Sequence, residues 1–276
     1  MTEAEWLACE CPLPMLVFLR GEVPAEQKGP LVPRICSGYG DLYYGPGQHV
    51  TDQKCRLFIL ACARRLHELP MDEPSRHALS AYERYALGGA PRDEFSQACL
   101  RIQDVVSSGG TALVSHLASA MWTDDPAGAA SAAMDIAWTV ANVKAKDSVA
   151  VTRAEATEQD WFAWGFGCGP PDPLWQATRA AEERFQAGLL REVVANPFRP
   201  VSFDAAWRTL TVVTLTRAAH DELSLPAGTL DLDRLAVLAD ALEDAGCDNT
   251  DLLSHLRGPG PHVRGCFVVD SLLGNE

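Results

Sequence analysis

Four residues near the end of this chain have types and spacing that could do chemistry. They are Cys247, His255, His262 and Cys266, arranged Cys-x7-His-x6-His-x3-Cys. Thiolate sulfur and imidazole nitrogen are the preferred ligands of zinc. The pattern lacks a C-x-x-C pair, so it departs from the common structural zinc motifs. On a helix, His262 and Cys266 would share one face, because residues four apart are neighbours there. The competing reading is two buried thiols with two histidines hydrogen-bonded at helix ends. It makes no cofactor the expectation, with zinc the alternative. The same residue types would also allow a Cys/His nucleophilic pair. The chain has nine cysteines and seven histidines, and no recognised catalytic motif surrounds any of them. Walker, HExxH and Ser-centred elbow patterns are missing from the sequence. The adjacent carboxylates Asp124–Asp125 and Glu182–Glu183 diverge on a helix, which predicts solvated surface.

The elements that must position these residues read as helices. Asp231 or Asp233 caps a first short helix with Leu235, Leu238, Ala239 and Leu242 inward, and Gly246 ends it in the left-handed position. Asn249 or Thr250 caps a second, with Leu252, Leu253 and Leu256 inward. A third follows the Gly258–Pro261 turn and buries Val263, Phe267, Val268 and Leu272. Upstream, Thr2 and Glu5 have capping-box spacing. Cys55, Phe58, Ile59, Cys62, Leu66 and Leu69 repeat at helical intervals over 53–69. Further helices are predicted over 73–88, 91–108 and the Ala-rich 127–145. Asp172–Pro173 opens a long one to Ala195, striped by Leu174, Thr178, Ala181, Phe185 and Leu189. The segment NPFRP (196–200) ends it. Residues 209–219 are β-branched, but Trp207, Leu210, Val213 and Ala218 line one helical face, and helix is preferred. The expected fold is mainly α: a helical bundle or stacked helical array over 1–195, and a small all-α C-terminal domain over 196–276.

Two loops stand out from this pattern. Residues 22–50 form a Pro/Gly/Tyr-rich insertion in which Tyr39, Tyr43 and Tyr44 are candidate contact residues. The segment 160–175 carries Trp161, Trp164 and Phe166, which either wedge into the core or meet a protein partner. A net charge of −14 argues against nucleic acid as the main partner and against an anionic membrane surface. Lys54, Arg56, Arg64 and Arg65 form the best local basic patch, expected to be a solvated helix face. No apolar run is long enough to span a membrane. The scattered cysteines and the acidic start MTEAEW point to free thiols in the cytoplasm.

Several stretches resemble an uncharacterised family of planctomycete proteins. They are the opening MTEAEWLACECPLPMLVFLRG, then KCRLFILACARRLHEL with DEPSRHALSAYERYALG, and the tail NPFRP…RLAVLADALEDAGCDNTDLLSHLRGPGPHVRGCFVVDSLLG. The likeness covers about half of the chain, at both ends, and the 22–50 insertion departs from it. In that family the position of Leu256 is often a cysteine. The resemblance implies a helical fold and an adaptor-like or defence-system role, and brings no activity or catalytic residue. The expected function is a non-catalytic helical interaction protein, an adaptor or accessory subunit of a larger bacterial assembly with a protein partner. The alternative is a metal- or thiol-dependent enzyme using the C-terminal Cys/His cluster.

Overall fold

A computed structural model describes residues 1–20, 50–68, 73–107, 133, 136–137, 140–145 and 173–275. Residues 22–49 of the 22–50 insertion, the aromatic segment from Trp161 to Phe166 and the pair Asp124–Asp125 lie outside the described residues. Regular structure among the described residues is helical, with two isolated antiparallel bridges, Ser224–Thr229 and Thr229–Val263. The mainly α expectation is met. The chain divides into two compact units, Met1–Ala187 and Gly188–Glu276.

In the N-terminal unit, α1 (Glu3–Ala8) starts with the expected capping box. Thr2 Oγ1 accepts from the Glu5 amide at 3.3 Å, and Glu5 accepts from the Thr2 amide at 2.7 Å. This satisfies two of the orphan donors of a helix start. Helix α2 spans Pro12–Arg20 and α3 spans Asp52–Arg64. A 3-10 turn, Arg65–Glu68, extends α3. Cys55, Phe58, Ile59, Cys62 and Leu66 of the predicted stripe are buried, and so are Leu57, Leu60, Ala61 and Ala63, so this helix is enclosed nearly all round; Leu69 lies outside the described residues. It packs on α4 (Glu73–Ala86), which packs on α5 (Arg92–Ser107). Tyr82 meets Phe95 edge-on at 5.1 Å, and Tyr85 stacks on Phe95 at 5.9 Å. Helix α6 (Pro173–Val194) begins in this unit.

The expected basic face is not a solvated one. Arg64 pairs with Glu83, and the Arg56 guanidinium lies over Tyr85. Arg65 sits over the Phe185 ring at 3.9 Å and donates two hydrogen bonds to Glu182, at 3.1 and 3.4 Å. Glu182 is therefore not surface either: it is 4% exposed and is also met by Lys144 at 3.5 Å. Its neighbour Glu183 pairs with Arg179 one turn back along α6. The two carboxylates diverge as adjacent helical residues must, and one direction points inward. Burying Glu182 requires a cation, and Arg65 supplies it.

In the C-terminal unit, α6 ends at Val194, and Ala195 adopts a left-handed φ of 67°. The NPFRP segment then turns on Asn196, whose side chain accepts from the Phe198 amide at 3.0 Å. Asp204 caps only a 3-10 turn, Ala205–Trp207, and Thr209 caps α7 (Leu210–Asp221). The β-branched run is helical, as preferred. Its hydroxyls are satisfied within the helix: Thr214 donates to the Leu210 carbonyl at 2.8 Å and Thr216 to that of Val212 at 2.6 Å. Asp231 caps α8 (Leu232–Asp244) and Asn249 caps α9 (Thr250–Leu256). Helix α10 is Phe267–Leu273. Helix α8 packs on α7 and α9, and α10 packs on α7. Their shared core contains Val212, Leu235, Leu238, Leu242, Leu252, Leu256, Val268 and Leu272.

The end of α8 decides the fate of Cys247. Gly246 is left-handed at φ 88°. The Gly246 amide donates to the Glu243 carbonyl and the Cys247 amide to that of Leu242, both at 2.9 Å. This is a Schellman motif, in which the residue after the glycine turns back onto the helix's apolar face. Cys247 accordingly joins the core.

Two substitutions test this account. A Cβ at Gly246 would meet nothing within 4 Å, so Gly246→Ala isolates the left-handed backbone cost. Chemical denaturation is expected to show a loss of about 1 kcal/mol. Arg65→Met leaves Glu182 partly uncompensated, and a loss of about 3 kcal/mol is expected. Arg65→Met with Glu182→Leu should be less destabilised than Arg65→Met alone. A double variant as unstable as the single one would show that ring packing, rather than charge, sets the cost.

Candidate metal centre

Three segments of the C-terminal unit converge on one carboxylate. Glu192 lies near the end of α6, His255 near the end of α9, and His262 and Cys266 flank the turn before α10. His262 Nδ1 is 3.1 and 3.2 Å from the two Glu192 oxygens. His255 Nε2 is 3.1 Å from Glu192 Oε2 and 3.5 Å from Cys266 Sγ. One ligand atom from each of the four residues lies within 4.8 Å of the others. Glu192 and His262 are each 3% exposed and Cys266 is fully buried. The His255 side chain, 21% exposed, is the part that reaches solvent.

Local backbone features bring these groups together. Gly188 and Glu192 are one turn apart, hence on one face of α6. A Cβ at Gly188 would lie 3.4 Å from Pro261 Cδ, so the absent side chain lets that proline close on the helix. The next residue, His262, then falls against Glu192. The Leu230 amide donates to the His262 carbonyl at 2.9 Å and fixes the strand-like segment beside it. Gly260 is left-handed at φ 86°, and a Cβ there would sit 2.8 Å from the His262 nitrogen.

His262 and Cys266 do not share a helix face, contrary to the expectation from their spacing. Helix α10 begins only at Phe267, with Cys266 as its N-cap. A turn closed by the Cys266 amide on the Val263 carbonyl at 3.0 Å, with Gly265 at φ 99°, joins the two instead. The imidazoles of His255 and His262 meet edge to face at 4.9 Å, and Phe267 covers His255 at 4.6 Å.

The electrostatics follow from this enclosure. Burial alone would raise the Glu192 carboxyl, but hydrogen bonds from His255 and His262 outweigh it and hold it below its ordinary value. Burial would lower His262, yet the hydrogen bond to Glu192, its charge and the Gly258 carbonyl raise it. Burial pushes the Cys266 thiol well up, and the Glu192 charge adds to this against weaker opposition from backbone amides of α10. Nucleophilic cysteine chemistry needs a thiolate, so Cys266 is poorly placed for it. The geometry agrees. A base bridging a nucleophile and an orienting carboxylate uses its two ring nitrogens separately. Here Cys266 and Glu192 both face the same nitrogen of His255.

Of the four residues singled out by sequence, His255, His262 and Cys266 come together, and Cys247 lies in the apolar core instead. Glu192 takes the fourth place. Its signal was present in the sequence, because Glu192 extends the stripe Phe185–Leu189 by three residues. A carboxylate that continues an apolar stripe is a buried carboxylate, and it needs partners. No protein-family model, curated protein or solved structure matches the chain.

Accessibility sets the order of thiol modification. Cys62 and Cys266 are fully buried, while Cys9 is partly exposed. Burial also raises Cys11 to about 11 and Cys55 to about 12. Alkylation at neutral pH followed by mass spectrometry is expected to label Cys9 before the other described cysteines and to spare Cys62 and Cys266 until denaturant is added. Rapid native labelling of Cys266 would contradict the closed site.

Proposed function

We propose that this chain is a non-catalytic helical protein that acts by binding other proteins, as an adaptor or accessory subunit of a larger bacterial assembly. One observation carries the reading. The place where reactive side chains converge is nearly closed, with a fully buried Cys266 and one His255 nitrogen shared by Cys266 and Glu192. Such a site favours holding a fold over turning over a substrate. Other features agree with this. The −14 net charge disfavours nucleic acid. Among the described residues, no helix is long and apolar enough to cross a membrane. The described cysteines are free thiols, which suits a reducing cytoplasm. The resemblance to a planctomycete family without assigned activity points the same way. The competing reading is a metal- or thiol-dependent enzyme, favoured only by the solvent-reaching edge of His255 beside the Cys266 sulfur.

The test is isolation of the tagged chain from its native host after mild crosslinking, with stoichiometry from light scattering. One partner at fixed stoichiometry is expected. A chain that runs alone and hydrolyses ester or amide substrates in a Cys266-dependent way would overturn the proposal.

A further inference from the structure

We infer that Glu192, His255, His262 and Cys266 form a closed, four-ligand site for a zinc ion that clasps the C-terminal unit. The inference stands whether or not the chain is an adaptor. The donor set is one carboxylate oxygen, two imidazole nitrogens and one thiol sulfur, all types that zinc takes. Thiolate with imidazole favours zinc over magnesium or calcium, which prefer oxygen.

Three observations point to an ion rather than to hydrogen bonding alone. First, one donor atom from each of the four residues lies within 4.8 Å of the other three, in a site with almost no solvent exposure. Zinc bonds of about 2.0–2.3 Å at tetrahedral angles put ligand atoms roughly 3.3–3.6 Å apart. The contacts here are 3.1 Å from His255 to Glu192, 3.1 Å from His262 to Glu192 and 3.5 Å from Cys266 to His255. The longer separations, up to 4.8 Å, would close by small side-chain rotations. Secondly, His262 has the outer-shell support of a metal-bound histidine. Its Nε2 is held at 3.2 Å by the Gly258 carbonyl, which keeps the proton there and turns Nδ1 to the centre. Thirdly, the charges balance. A zinc ion with one carboxylate and one thiolate is neutral, as a buried centre requires. On binding, zinc–sulfur, zinc–nitrogen and zinc–oxygen bonds form. The Cys266 thiol proton leaves to solvent, and each imidazole binds through an unprotonated nitrogen while keeping one ring proton on the other, Nε2 in His262. The exposed edge of His255 provides access.

The site would also supply what the unit otherwise lacks. It would tie the end of α6, the end of α9 and the turn before α10, segments far apart in sequence, by bonds stronger than a small apolar core offers. All four protein ligands are then used and no open position remains, which is the mark of a structural site.

The test uses the full chain, purified reduced and stripped of metal, with zinc and cobalt(II) as probes. One zinc per chain is expected by elemental analysis, with a rise in melting temperature on zinc addition. Cobalt should give the intense visible bands of a tetrahedral centre and a sulfur-to-cobalt charge-transfer band. Glu192→Gln, His262→Ala and Cys266→Ser are each expected to weaken zinc by about a hundredfold or more. Cys247→Ala should keep one zinc per chain. If a ligand variant fails to fold, the cobalt spectrum of the unsubstituted chain decides. Folded, reduced protein that takes up neither metal, or binds cobalt without the sulfur band, overturns the site. So does zinc binding that survives loss of Glu192 or Cys266, or that is lost with Cys247.

Discussion

The C-terminal unit depends on how it compensates one buried carboxylate. Glu192 is almost entirely withdrawn from water. An ionised carboxylate in such a place is untenable without hydrogen-bond donors or a cation. His255, from the end of α9, and His262 and Cys266, from the turn before α10, are the groups that meet it. The turn after α9, the contact of Pro261 on Gly188 and the late start of α10 all serve that convergence. The apolar core of α7 to α10 can form from periodicity alone. The orientation of the His262 turn against α6 depends on Glu192.

The N-terminal unit applies the same rule with different partners. Glu182 is buried on α6 and is matched by Arg65, with Lys144 nearby. Arg65 reaches it from the turn that extends α3 while its guanidinium covers Phe185. A single helix thus carries two inward carboxylates, each compensated within its own unit. The cations that would otherwise have read as a basic surface are consumed internally.

Much of the helical architecture could be read directly from residue order. Thr2 with Glu5, Asp231 and Asn249 each stand at a helix start and each makes the capping bond expected of it. Gly246 ends α8 in the left-handed conformation. The ambiguous β-branched segment settles as α7, capped by Thr209 and burying Val212, Thr216 and Ala219 along one face. The candidate site was legible only in part. Spacing named His255, His262 and Cys266, but it assigned Cys247 to them and left Glu192 out. Cys247 was misread because its partner is the helix before it: a Schellman turn sends it to the core. Glu192 carries no motif of its own, and its inward direction follows from its packing against His255 and His262.

The sequence by itself determined the helices, their caps and ends, and the apolar faces that make a mainly α fold. These depend on interactions within a few residues, so local order suffices to specify them. Tertiary structure alone decided which polar residues turn inward. Whether Glu182 and Glu192 are buried depends on Arg65, His255 and His262, which lie far from them in the chain. Whether His262 and Cys266 meet depends on a turn seated against Gly188, not on a shared helix. Such pairings rest on how elements pack, and packing follows from the summed burial of many side chains, which no single spacing encodes.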